Sequence, residues 1–406
     1  MIGIMEPDPE YRRTLDMDLP PGQAAFLWGP RKTGKSTYLR QAYPDALAFD
    51  LLDSDVRMPL ERRPAVLREW IAAAKPDPAQ PVILDEVQKV PDVLDEVHWL
   101  IEHRKLGFIL CGSSARKLRR GHANLLGGRA WRFELFPLVT PEVPGFDIDR
   151  ALRHGLIPAH YKTSRPDRAL RSFVNDYLEQ EIAAEALARN LGAFARFLEL
   201  AGITNGQLVN YAKMASDVGV DAKSIRTYFE ILEDTLLGRF LQPLPAKPGS
   251  RKNLVATPKF FFCDPGIARQ LRGSNFREAR HAEGHLFETF LANEIFAYLA
   301  YHDLRPGLHF YRTHSGAEVD FVLGNGALAI EATLDDHVRA EDLRGLNDFL
   351  ERYPDARALV VSFEPRARIL EKNGRMIEVL PWREFCTRWW AGEWLRGGAP
   401  AASAGN

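Results

Sequence analysis

One short segment restricts this chain more than any other. Ala24-Ala25-Phe26-Leu27-Trp28 runs into Gly29-Pro30-Arg31-Lys32-Thr33-Gly34-Lys35-Ser36 and then into the helix-forming stretch Thr37 to Ala42. This is G-x-x-x-x-G-K-S in strand, loop and helix context. Glycines let main-chain N–H groups close around phosphate oxygens at a helix N-terminus. Lys35 is placed to neutralise β/γ charge and the Ser36 hydroxyl to ligate Mg²⁺. The expected nucleotide-binding set is therefore Gly29, Pro30, Arg31, Lys32, Thr33, Gly34, Lys35, Ser36 and Thr37, with ATP and Mg²⁺ as ligands. The pattern also occurs in loops of no function, but the flanking strand and helix argue against that here.

The surrounding sequence has the matching rhythm. Apolar runs at Ala24–Trp28, Leu47–Leu51, Val82–Leu84, Phe108–Cys111 and Trp131–Phe136 alternate with helix-like stretches, which predicts a parallel α/β sheet. From Arg150 to Leu237 apolar residues recur three and four apart, as in Phe194, Phe197, Leu198 and Leu200, and the pattern is helical. Pro243 to Ser250 reads as a turn or wing, Lys259 to Cys263 as a strand, and helix and strand signals mix again from His281. A chain of 406 residues exceeds one hydrophobic core, so these three regions read as separate domains. Lys plus Arg (53) nearly balance Asp plus Glu (54), which excludes bulk attraction to nucleic acid or to an acidic membrane and leaves only local patches. The three cysteines, Cys111, Cys263 and Cys386, are too dispersed for a zinc motif or a disulfide framework. With an acidic start from Met1 to Arg13 and no long apolar run, a soluble cytoplasmic protein without membrane contact is expected.

Val82-Ile83-Leu84-Asp85-Glu86 supplies the second half of the site, because a buried strand ending in two carboxylates needs a cation nearby. Asp85 would hold Mg²⁺ through water, and Glu86 would orient or deprotonate the attacking water. The next strand runs into Gly112-Ser113-Ser114. Ser113 or Ser114 could sense a γ-phosphate if that strand lies between the first two, and a helix N-cap is the competing reading. Arg104 to Arg132 contains no acidic residue. Arg129, after Gly127-Gly128, is the candidate arginine finger for a neighbouring subunit, while Arg116, Lys117, Arg119 and Arg120 face DNA, a subunit's acidic surface or solvent.

Two further patterns lie downstream. Tyr211 to Val218 reads as a helix, Gly219 as its left-handed stop, Asp221 as an N-cap and Ala222 to Leu236 as a second helix, which is helix-turn-helix spacing. Lys223, Arg226 and Thr227 would meet DNA from its first turns, with Arg251 and Lys252 in a basic wing alongside Arg239 and Lys247. Glu230, Glu233 and Asp234 on the same helix leave a purely structural module as the alternative. Glu318 to Leu323, Gly324-Asn325-Gly326 and Ala327 to Thr333 form a hairpin signal with Asn-Gly at a type I′ turn. If Gly324 pairs with Ala327, Phe321 faces Ile330 and Asp320 faces Glu331. Opposed like charges destabilise a hairpin, which predicts a second Mg²⁺ or Mn²⁺ between Asp320 and Glu331.

These residues resemble AAA-type ATPases of bacteria and archaea that carry a C-terminal domain of unknown function, number 4143. The resemblance rests on Gly29 to Ser36, Ile83 to Pro91, Gly112 to Arg116, Gly128-Arg129-Ala130, Glu134 to Leu138, Phe197 to Leu200, Asn205 to Leu208, Phe262 to Gly266 and Gly316 to Phe321. It implies an ATPase domain at 1–145, a helical lid and winged-helix-like region at 146–275, a PD-(D/E)xK nuclease-like domain at 276–396 and a flexible tail at 397–406. It also implies Glu288 as a third carboxylate of the second metal site. The nuclease pattern places a lysine two residues past its second carboxylate, where this chain has Thr333. Arg312 or His314 is left to supply the positive charge, and weak or absent cleavage is expected.

Together these features predict an oligomeric, Mg²⁺-dependent AAA-type ATPase, with a hexamer as one assembly it could form, that binds and remodels DNA. Its alternatives are an ATP-coupled metal-dependent DNA nuclease and a nucleotide-dependent protein-interaction switch. Glu86, Arg129 and Ser113 are the expected catalytic residues.

Overall fold

Five consecutive buried residues, Ala24–Trp28, require cover on both faces, which a helix-flanked parallel sheet provides. In the computed structural model, which describes residues 11–113, 130–184, 190–245, 254–273, 280–372 and 374–395, this run is β1. It pairs in parallel with β4 (Phe108–Gly112) on one side and β5 (Ala130–Glu134) on the other. β4 pairs in parallel with β3 (Val82–Asp85), and β3 with β2 (Ala48–Asp50). The all-parallel sheet has the order β2-β3-β4-β1-β5, as the expected α/β class requires. Helices α1 (Lys35–Ala42), α2 (Ser54–Arg62), α3 (Val66–Ala74) and α4 (Val93–Arg104) flank it. Leu60, Leu67, Ile71, Val93, Leu94, Val97 and Leu100 from the last three join Phe26, Leu84, Phe108 and Leu110 in one buried cluster. Each such side chain contributes about 1.5–3 kcal/mol. Because β4 lies between β1 and β3, with Trp28 beside Gly112 and Leu84 beside Leu110, the C-terminal ends of these strands lie next to one another.

The chain divides into two compact units. The first comprises Met1–Val143, Leu156–Ser164 and Thr227–Gly238; the second comprises Pro144–Gly155, Arg165–Arg226 and Arg239–Asn406. In the second unit, helices Ile148–His154, Pro166–Ala184, Leu191–Ile203 and Tyr211–Val218 lie in the stretch read as helical from the sequence, and Pro265–Arg272 and Arg280–Tyr301 follow it. Asp147, Asn190, Asn210 and Asp264 each accept an N-terminal backbone N–H with their side chains. Helices Ile148–His154 and Pro265–Arg272 meet at glycines: a Cβ on Gly266 would lie 2.5 Å from the Gly155 nitrogen, and Gly155 itself has φ 79°.

A mixed eight-stranded sheet completes this region, in the order β12-β13-β11-β10-β9-β8-β6-β7. Its strands are β6 (Gly238–Pro243), β7 (Lys259–Phe262), β8 (Leu308–Arg312), β9 (Glu318–Leu323), β10 (Leu328–Ala332), β11 (Arg357–Ser362), β12 (Arg368–Lys372) and β13 (Arg375–Pro381). The β9–β10 hairpin has the register deduced from the Asn-Gly turn, with Phe321 opposite Ile330, and Asn325 and Gly326 adopt φ 55° and 99°. β6 and β7 pair into this same sheet, so the strand read at Lys259 is a neighbour of the C-terminal strands. Among the described residues no helix is long and apolar enough to cross a membrane.

The phosphate loop is braced from the N-terminal segment. Arg13, whose side chain is 4% exposed, bonds Glu142 Oε2 at 2.9 Å, where Glu142 is fully buried. The same guanidinium donates to the Thr33 carbonyl at 2.6 Å and the Phe136 carbonyl at 2.6 Å. Glu142 also accepts the N–H groups of Thr14 and Val139. Removing one partner of a buried ion pair strands the other without solvent. Arg13→Met should therefore cost about 3–5 kcal/mol in a denaturant titration, and adding Glu142→Gln should recover part of the loss. A single-variant loss below about 1 kcal/mol would contradict this role.

Candidate functional site

The loop after β1 is built for an anion. A Cβ on Gly29 would lie 2.5 Å from the Leu135 carbonyl oxygen, so the chain passes there only as glycine. Lys32 and Gly34 take left-handed backbone, at φ 63° and 87°, and turn the loop into the N-terminus of α1. The first N–H groups of that helix have no intrahelical acceptor and face the loop. Thr33 Oγ1 donates to the Pro30 carbonyl at 2.8 Å. Lys35 Nζ, largely buried, donates to the carbonyls of Gly29 and Pro30 at 2.7 and 3.0 Å, which holds its charge inside the cradle. Pro30 is buried, Arg31 and Thr37 are half-buried and Lys32 is exposed.

The strand order brings the acidic pair to this loop. Ser36 Oγ donates to Asp85 Oδ2 at 2.5 Å across from β3. Hydroxyl and carboxylate at one point are the donor set that Mg²⁺ takes beside a triphosphate, so Ser36 and Asp85 fit that ion. Asp85 Oδ1 accepts the Glu86 N–H, and Glu86 itself sits at φ 58°. Burial pushes the Glu86 carboxyl up, and Lys35 opposes that shift. Gln88 Nε2 donates to Glu86 Oε2 at 2.5 Å and to Ser113 Oγ at 3.2 Å. Ser113 therefore stands between the phosphate loop and the acidic pair, at the end of β4. Ser114, Arg116, Lys117, Arg119, Arg120 and Arg129 lie outside the described residues.

The helix-turn-helix pattern has the expected local geometry. Helix Tyr211–Val218 stops at Gly219, φ 76°, and Ser224 N donates to Asp221 Oδ1 at 2.6 Å at the start of helix Ala222–Asp234. Lys223 and Arg226 are exposed and Thr227 is half-buried; the Arg226 guanidinium lies 4.5 Å from the Tyr211 ring centre. Lys247, Arg251 and Lys252 lie outside the described residues.

In the C-terminal sheet a cavity of ≈ 750 Å³ is lined by Glu288, Glu318, Asp320, Glu331, Lys259 and His285 among others. Asp320 Oδ2 accepts the Ala332 N–H at 2.9 Å. The positive charge comes from an unexpected strand. Lys259 Nζ lies 2.6 Å from Glu318, 3.3 Å from Asp320 and 3.7 Å from Glu288. Burial works against that ammonium, but Glu288, Asp320 and Glu318 overcome it and hold the lysine above its usual range. Burial, then Glu288, pushes Asp320 up to about 7, and burial, then Asp320, pushes the Glu331 carboxyl well above the usual carboxylate range. Of the groups expected to supply charge, Arg312 pairs with Glu318 at 2.7 Å and His314 is exposed. Asp320 and Glu288 share the Lys259 ammonium, and Glu331 lines the same cavity. Among the described residues no three His, Cys, Asp or Glu side chains meet in a metal-holding group.

Three residues of consequence escaped the sequence reading. Lys259 opens the apolar run Lys259-Phe260-Phe261-Phe262, where a lone charge is the one available signal. Gln88 follows Glu86 by two residues, a spacing with no general meaning outside a 3₁₀ turn such as Val87–Lys89. Arg13 gives no signal, because its partner Glu142 is 129 positions away. His160, fully buried in the first unit, is held down to about 4 by burial and by the charge of Lys32. Its folded value is below the ordinary 6.5, so its contribution to stability is complete above pH 6.5 and declines as pH falls from there towards 4. His160→Phe should make the fall in melting temperature over that window shallower, by the equivalent of up to about 3 kcal/mol. An identical pH profile in wild type and variant would refute this.

Three stretches match known families: residues 22–143 match an AAA domain, residues 145–278 a domain of unknown function (DUF8612) and residues 283–385 a domain of unknown function (DUF4143). The uncharacterized proteins Rv2008c of Mycobacterium tuberculosis and Mb2031c of Mycobacterium bovis are each 27% identical over 305 residues. The match covers 73% of this chain and 66% of each relative's length. Among solved structures, the Walker-type ATPase paby2304 of Pyrococcus abyssi is 15% identical, with 62% of this chain and 91% of that one covered and a TM-score of 0.41. The ORC1 protein of Aeropyrum pernix, solved in complex with DNA, is 12% identical, with coverage of 63% and 87% and a TM-score of 0.24. With the phosphate loop and the acidic pair at the C-terminal strand ends of a parallel sheet, the chain carries a P-loop ATPase domain of the AAA type, joined to the domains of unknown function DUF8612 and DUF4143.

Proposed function

We propose that this protein is an oligomeric, Mg²⁺-dependent ATPase that couples hydrolysis to the rearrangement of DNA. The observation that carries the ATPase reading is the contact of Ser36 with Asp85 at 2.5 Å, one residue before Glu86 and beside the buried Lys35 ammonium. Main-chain N–H groups of the loop and Lys35 bind the phosphates, and Glu86 accepts the proton of the attacking water. Mg²⁺ at Ser36 and Asp85 would supply charge neutralisation on the β- and γ-phosphates. Ser113 is the sensor of the terminal phosphate. Arg129 is proposed to reach the site of a neighbouring subunit. Lys223, Arg226 and Thr227, with Arg251 and Lys252, are the proposed DNA contacts, supported by the exposure of the first two on a helix that follows a tight Gly219 turn.

The test is ATP turnover with and without single-stranded, duplex and branched DNA, alongside filter binding at several salt concentrations. Lys35→Ala should weaken nucleotide binding. Glu86→Gln should retain nucleotide but turn over about a hundredfold more slowly or worse. Arg129→Ala should lower a specific activity that rises with protein concentration. Equal rates in wild type and the Glu86 variant would remove the hydrolytic role, and an absence of salt-sensitive DNA affinity would remove the DNA part while leaving the ATPase.

One observation favours a second reading, an ATP-coupled nuclease. Lys259 brings to Asp320 and Glu318 the positive charge that the family pattern places at position 333. An ammonium at that point would stabilise negative charge developing on a phosphodiester. If this reading holds, the protein nicks DNA in Mn²⁺ buffer and both Asp320→Ala and Lys259→Met abolish cutting. Undiminished cutting by the Asp320 variant would identify a contaminant and leave the C-terminal domain without cleavage.

A further inference from the structure

We propose that Gln88 is a positioning residue for hydrolysis: its side-chain amide ties the Glu86 carboxylate to the Ser113 hydroxyl, so the aim of Glu86 depends on what Ser113 touches. The inference rests on the reading of Glu86 as the base that serves the attacking water.

The geometry begins with the backbone. β3 ends at Asp85, Glu86 takes a left-handed φ of 58°, and the 3₁₀ turn Val87–Lys89 carries Gln88 back towards the end of β4. There Gln88 is almost wholly buried. Its Nε2 is 2.5 Å from Glu86 Oε2 and 3.2 Å from Ser113 Oγ, which gives each N–H of the amide one acceptor. The orientation is not interchangeable. An ionised carboxylate only accepts, so the nitrogen must face Glu86 and the carbonyl oxygen must face away.

That orientation leaves Oε1 buried without a hydrogen-bond partner. A Cβ on Gly112 would lie 2.5 Å from it, so the strand makes room for the oxygen without satisfying it. An unsatisfied buried acceptor is unfavourable, and a leucine of similar volume would avoid it. Stability therefore does not account for the amide, whereas its two donors do. Ser113 has the complementary arrangement: its oxygen accepts from Gln88, and its own O–H remains to donate. When that O–H is given to a terminal phosphate oxygen, the hydroxyl is polarised and drawn towards the nucleotide, and the amide carries the displacement to Glu86. The acidic residue is thereby aimed only when the phosphate to be attacked is in place.

The experiment compares Gln88→Leu, Ser113→Ala and the double variant with wild type in steady-state ATP turnover, together with nucleotide binding by calorimetry. Gln88→Leu should lower kcat at least about tenfold while the nucleotide Kd changes less than about threefold. The double variant should be no slower than the worse single variant by more than about threefold, because both cut one connection. A Gln88→Leu rate within about threefold of wild type overturns the proposal, as do losses that multiply in the double variant. Glu86→Gln separates the two layers of argument. If that variant hydrolyses as fast as wild type, the base assignment has failed; if it is slow while Gln88→Leu is normal, only the positioning role has failed. Where Gln88→Leu does not bind nucleotide or melts early, Gln88→Met, of equal chain length and without donors, takes its place under the same criteria.

Discussion

The site depends on an ammonium held by main-chain carbonyls. Lys35 folds back on Gly29 and Pro30, and this is possible only because Gly29 passes close under the Leu135 carbonyl and Lys32 and Gly34 tolerate left-handed backbone. A loop in that shape concentrates N–H dipoles and one positive charge at the start of α1, and something must hold it there. The Arg13 guanidinium does so from outside, bonding the Thr33 and Phe136 carbonyls while Glu142 balances its charge. Ser36 and Asp85 tie the loop's other end to β3.

The C-terminal cluster solves the same electrostatic problem in another way. Five carboxylates, Glu288, Glu318, Asp320, Glu331 and Asp335, border one cavity, and the mutual repulsion of those that lie close together would be severe at low dielectric. Lys259 enters from a strand distant in sequence and neutralises part of it, with Arg312 on Glu318 and His285 on Glu288 completing the arrangement. A side-chain ammonium thus lies beside Asp320, one of the two carboxylates at which the hairpin alone calls for a metal ion. The two sites therefore differ in kind: one presents N–H groups and charge to an incoming anion, the other surrounds a buried ammonium with carboxylates.

How much could be read in advance depends on the range of each interaction. The phosphate loop was legible because its parts are contiguous: strand, turn and helix occupy residues 24–42, and glycine spacing encodes backbone geometry directly. The β9–β10 register was legible for the same reason, since the Asn325-Gly326 turn fixes every later pair by counting. Asp85 and Glu86 stood out because a buried strand rarely ends in two carboxylates. For the positive charge missing at Thr333 the sequence points only to the preceding strand, at Arg312 or His314. β7 reaches the same sheet by way of β6 and β8, an adjacency that no local pattern announces.

The sequence by itself thus determined the chemistry that lies within one turn or one hairpin: a phosphate loop, an acidic strand end, a pair of opposed carboxylates. The tertiary structure alone decided which strands became neighbours, and with that the placement of Ser113 between the loop and Glu86, the bridging amide of Gln88, the Arg13 brace and the arrival of Lys259. The physical reason is that backbone propensity and side-chain alternation act over a few residues. Compensating a buried charge is a demand on whatever lies within about 4 Å in space, wherever in the chain it originates.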